Sequence, residues 1–149
     1  MTRSQPRPTL TGLLFGALLM AATVGRADDQ DTVDYRKHIM KTMGEQVASI
    51  NMILQQKAPP DNFAVHVRIL AVAASTAKKA FEPKVPGGDA KPEVWGNWPD
   101  FSKRLDALVA ATADLAKTAQ DGGVAAAGPK VKSTLTCKDC HDTYRVPKN

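Results

Sequence analysis

Apolar residues recur in steps of three and four through most of the chain, the signature of amphipathic helices that each bury one face. The first predicted helix runs from Asp31 to about Gln56. Its apolar side is Met40, Met43, Val47, Ile50 and Leu54, with a break expected at Gly44. Ala58-Pro59-Pro60-Asp61-Asn62 interrupts the pattern and offers an N-cap to the next element. A second helix follows, with Phe63, Val67, Leu70, Ala74, Ala77 and Phe81 on one side, until Glu82-Pro83 stops it. The third starts at Pro99 or Asp100 and carries Phe101, Leu105, Leu108, Thr112, Leu115 and Ala119; Asp121-Gly122-Gly123 is its stop signal. The fourth is expected to continue to about Arg145, with Val124, Val131 and Leu135 inward and Pro129 early in it. Residues 84–99 hold Pro86, Pro92, Pro99 and Gly87-Gly88. That is long for a loop, and Trp95 and Trp98 are expected to pack it over a bundle edge. No stretch alternates with period two. The predicted fold is all-α, an antiparallel four-helix bundle.

The N-terminal stretch reads differently. Arg3 and Arg7 precede an apolar run from about Leu10 to Val24, and Gly25-Arg26-Ala27 ends it with small residues at the positions a signal peptidase reads. The run is shorter than the roughly 20 residues that span a bilayer as a helix. Residues 1–27 are therefore expected to be a cleaved signal peptide, and residues 28–149 one exported, periplasmic domain. This changes the meaning of the charge. Cleavage would remove three arginines and no acids, taking the formal charge from +5 to +2. The basicity lies mostly in the leader and gives no argument for a nucleic-acid partner.

Near the C-terminus Cys137-Lys138-Asp139-Cys140-His141 reads C-x-x-C-H, the attachment signature of a c-type haem. On a helix, Cys140 lies one turn from Cys137, and His141 follows at i+4 from Cys137. The two thiols can then add to the two vinyl groups of one porphyrin while the imidazole reaches iron. Other readings explain less. A structural zinc site wants four ligands, and the only other histidines besides His141 are His38 and His66. A thioredoxin-like pair would need a strand before it, and a simple disulfide would leave His141 unexplained.

The run Cys137 to Arg145, with Tyr144 next to Arg145, resembles the class II cytochromes c, which include the cytochromes c′ and the low-spin cytochromes c-556. Tyr35-Arg36-Lys37-His38-Ile39-Met40 resembles that family's distal segment, and Pro92-Glu93-Val94-Trp95 with Phe101 its approach to the third helix. The resemblance covers residues 31–146. It implies one covalent haem c with its iron on His141, Met40 facing the sixth coordination position, and Arg36 and Arg145 contacting haem propionates. The longer pattern from Tyr35 through Met40 to Gly44 looks more like the low-spin branch. The expected function is therefore an exported monohaem electron carrier with His141/Met40 ligation and no enzymatic activity. Met43 is a rival for the iron. Its partners would be periplasmic or membrane redox proteins, docking near Lys130, Lys132 and Lys138, or a second copy of the chain as a homodimer. The alternative is a five-coordinate, high-spin protein that binds nitric oxide or carbon monoxide.

Overall fold

The computed structural model describes residues 28–147; the expected leader, residues 1–27, lies outside them. Helix α1 spans Asp29–Leu54, α2 Phe63–Phe81, α3 Glu93–Gly96, α4 Trp98–Ala127, α5 Val131–Thr134 and α6 Cys137–Tyr144. Short 3₁₀ turns at Pro60–Asn62 and Gly128–Lys130 join them. Among the described residues the β-structure is two isolated bridges, Gly87 with Ala90 and Ala90 with Arg145. The fold is the all-α four-helix bundle that the periodicity predicts.

Helix α1 starts two residues earlier than expected because Asp28 forms a capping box with Asp31, satisfying orphan backbone donors at both ends of the box. No break occurs at Gly44. It lies inside α1, and a Cβ there would meet nothing within 4 Å. Asn62 precedes α2 as expected, but its side chain makes no capping hydrogen bond. The apolar sides of α1, α2 and α4 meet in one core built on Ile50, Phe63, Val67, Leu70 and Leu115, all essentially fully buried. Ala74, Ala77 and Ala119 are buried where helices pack, their small side chains letting the backbones come close.

The expected continuous fourth helix is not there. Gly123 has φ 57 and ψ −149, a conformation open mainly to glycine, so the Gly122-Gly123 stop ends the regular part of α4. Beyond it the chain advances in short pieces, because Pro129 cannot donate to a helix and Leu135 and Thr136 leave the helical region. Val131 is buried as expected, whereas Val124 and Leu135 are only partly so. The fourth arm of the bundle therefore ends in α6, a separate helix of 8 residues.

Candidate haem-attachment site

Helix α6 begins at Cys137 and contains the whole C-x-x-C-H motif. Cys137 is exposed, Cys140 and His141 half-buried, and both cysteines are free thiols. Desolvation by neighbouring protein pushes both thiols above their ordinary pKa; beside Cys140, Arg104 works against that rise. A redox-active C-x-x-C pair needs the opposite, a thiol that ionises easily. Among the described residues no group of three or more His, Cys, Asp and Glu side chains could hold a metal ion.

Two sets of contacts place α6. The first comes from the segment before α3. The Lys91 amide donates to the Tyr144 carbonyl (3.0 Å) and the Val146 amide to that of Asp89 (2.8 Å). Lys91 Nζ also donates to the carbonyls of Asp142 and Thr143, both at 3.3 Å, so it caps the C-terminal carbonyls of the helix. The second comes from α4. Tyr144 is buried, with its ring edge-on to Phe101 at 5.1 Å between centroids. Its hydroxyl donates to Asp100 Oδ2 (2.5 Å), which also accepts from Arg104 Nε (2.6 Å). Arg104 Nη1 in turn donates to the Asp139 carbonyl, 3.1 Å away inside the motif itself. The two bonds hold the Asp100 carboxyl below the usual carboxylate range. Burial, then the bond to Asp100, pushes the Tyr144 phenol up.

Sequence reasoning gave Asp100 only the start of the third helix and assigned Arg104 no role. The i,i+4 spacing was visible, but such pairs are usually solvated and nothing local shows that α6 lies against this one.

Arg36 is buried at 3% exposure, with its guanidinium 5.1 Å from the Trp95 ring centre and 5.3 Å from that of Phe81. Nη2 donates to the Gly87 carbonyl at 3.4 Å, while Nη1 is buried with no hydrogen-bond partner among the described residues. Burial pushes its pKa down. A charged donor left unsatisfied in the interior costs several kcal/mol unless an acceptor arrives. A haem carboxylate is such an acceptor, so Arg36 fits the expected group. Trp95 holds the cradle closed by donating Nε1 to the Phe81 carbonyl at 2.9 Å.

Met40, one turn from Arg36, is half-buried and packs against the core, and Met43 is buried in it. Arg145 is half-buried, its backbone paired with Ala90. His38 is exposed; His66 is half-buried and hydrogen-bonds Gln46 across α1 and α2 at 2.8 Å. A shallow groove of about 640 Å³ between α2 and α4, lined by Ala64, Arg68, Val72, Val109 and Ala116, includes none of these site residues.

The model of the family described as Cytochrome C' matches residues 31–145. Cytochrome c' of Alcaligenes xylosoxydans xylosoxydans is 30% identical over 129 residues, covering 82% of this chain and 98% of the relative. Cytochrome c-556 of Agrobacterium fabrum is 32% identical over 143 residues, covering 91% and 92%. Among solved structures, a ferrous variant of cytochrome c prime from Alcaligenes xylosoxidans with bound NO superposes with a TM-score of 0.72 at 28% identity. It covers 83% of this chain and all of that one. Another variant of the same protein carries carbon monoxide.

The family match, the cytochrome c' relative and the nitric oxide and carbon monoxide complexes overturn the expected low-spin carrier with Met40 on iron. A gas binds iron most readily where no side chain holds the coordination position, and the packing of Met40 against the core accounts for its burial without a bond to metal. The match along residues 31–145, the bundle and the C-x-x-C-H helix together show that the chain belongs to the cytochrome c′ family, haem proteins with one covalent c-type haem.

Proposed function

We propose that the protein is an exported, five-coordinate, high-spin cytochrome c′ that binds nitric oxide or carbon monoxide at an open sixth position. The nitric oxide complex of its structural relative carries this reading. When bound, the haem supplies an iron whose affinity for a gas depends on its ligands and surroundings. Cys137 and Cys140 would hold it through thioethers and His141 would be the proximal ligand. Arg36 would pair with a propionate through its unsatisfied Nη1, a charge-assisted bond. Arg145, at the end of α6, would serve a second propionate. Met40 would line the distal side as an apolar wall that shields the iron from water and limits the size of what enters.

The test is the absorption spectrum of the purified holoprotein. A high-spin ferric spectrum and a ferrous form that takes up carbon monoxide without losing a side-chain ligand are expected. A methionine–iron charge-transfer band in the near infrared would refute the proposal. Acid–acetone extraction should leave the haem on the chain, and Cys137→Ala with Cys140→Ala should release it. Arg36→Gln should lower the reduction potential, because the lost positive charge had disfavoured ferric iron. An unchanged potential would place Arg36 away from the haem.

A further inference from the structure

Helix α6 is too short to stand alone in water, since isolated helices below about 12–15 residues are marginal. Its place relative to the bundle is therefore set by what grips it. On α4 that grip is the Asp100–Arg104 pair, which differs from the other i,i+4 pair on the same helix. Lys117 and Asp121 pair within α4, with both side chains well exposed. Asp100 reaches α6 through the Tyr144 hydroxyl, and Arg104 reaches it through the Asp139 carbonyl between the two cysteines. Arg104 also stands over the Tyr144 ring at 5.8 Å and lies within electrostatic range of Cys140.

We infer that Asp100 and Arg104 are positioning residues of the haem site, a charge-balanced clamp that holds the attachment helix on α4 and sets the electrostatic environment of the haem edge. Two consequences are separable. As a tether, the clamp fixes the backbone that carries Cys140 and His141. As a charge pair, it keeps a cation and an anion in near balance beside the thioether. Removing either member should loosen the helix, but the two losses leave opposite charges behind. Arg104→Gln leaves a carboxylate, which favours ferric iron. Asp100→Asn leaves a guanidinium, which favours ferrous iron.

The experiment measures reduction potential and amide hydrogen exchange of residues 140–144 in holoprotein carrying Arg104→Gln, Asp100→Asn, or both. The potential should fall in the first variant, rise in the second and return toward the parental value in the double. Exchange should accelerate roughly tenfold or more in all three, as local opening becomes easier. Arg104→Lys separates the two roles and is the milder change should Arg104→Gln not fold. Lysine keeps the charge but has no planar fork to bridge Asp100 and the Asp139 carbonyl, so the potential should hold while exchange accelerates. Potentials that move the same way in both single variants, or unaltered exchange in 140–144, would overturn the inference. The direction of each potential shift relative to the parental protein, and the exchange of residues 140–144, are expected to be the same whether the iron has five or six ligands, so failure here is distinct from failure of the gas-binding proposal.

Discussion

The body formed by α1, α2 and α4 and the arm that ends in α6 are built by different physics. In the body, long helices meet along apolar sides, and Phe63, Ile50, Leu70 and Leu115 are almost wholly hidden from water. In the arm, Tyr144 is the one buried side chain of α6, and the helix is gripped through its backbone and its end by Lys91, Arg104 and Asp100. Apolar burial is strong but non-directional, enough for a scaffold. Hydrogen bonds are weaker in net stability but fix orientation, which is what a helix proposed to carry an iron ligand needs.

The contrast can be broken most severely in the body. Phe63→Ala should cost about 3–5 kcal/mol, the range for a buried phenylalanine cut to alanine. Denaturant unfolding of the holoprotein measures it, and a loss below about 1 kcal/mol would mean that the core repacks there.

At the junction, Gly123→Ala tests the corner that ends the regular part of α4. A Cβ at Gly123 would meet nothing within 4 Å, so the penalty is torsional alone. About 1–3 kcal/mol is expected for a non-glycine residue held in that region. Thermal melting that is unchanged would show that the corner relaxes freely.

In the arm, Tyr144→Phe keeps the ring packing and removes only the hydroxyl, which should cost about 1 kcal/mol. Acid gives an independent handle on the same bond. The Asp100 carboxyl lies below its ordinary value of 3.8 because Tyr144 and Arg104 bond its charged form. Its contribution is fully present above that ordinary value and is lost as pH falls through the lower, folded one. The gap in melting temperature between parental protein and Asp100→Asn should therefore close below about pH 4. A gap that widens with acid would reverse the assigned sign.

The smallest effect belongs to the body again. Gly44 sits exposed inside α1 with open space where a Cβ would go. Gly44→Ala should stabilise by about 0.5–1 kcal/mol, because alanine loses less backbone freedom on forming a helix. A loss of stability, read from the same unfolding curves, would show that Gly44 is needed for more than its small size.

What the sequence determined was whatever depends on neighbours along the chain. The stripes of α2 and α4 follow from helical periodicity, and buried Phe63, Val67, Leu70, Phe101, Leu105 and Leu115 fall on them. On α1 the expected side is buried at Met43 and Ile50, but the buried face also takes in Val33, Arg36, Ile39 and Ile53, while Met40, Val47 and Leu54 are half-buried. The haem motif was legible for the same reason, since Cys137, Cys140 and His141 are fixed by spacing within a single helical turn. The corner at Gly123 followed from the torsions glycine alone tolerates.

Only the tertiary structure decided what brings distant segments together. Asp100 and Tyr144 are 44 positions apart, and Arg36 and Gly87 are 51 apart. No local pattern encodes such pairs, because they depend on how helices are laid against one another. The break-up of the fourth helix has the same origin. Its weak apolar stripe could not hold a regular helix across Gly128-Pro129 and Leu135-Thr136, so long-range hydrogen bonds set the place of α6. Met40 makes the same point: its position on α1 follows from spacing, but its packing against the core depends on which helices are laid beside it.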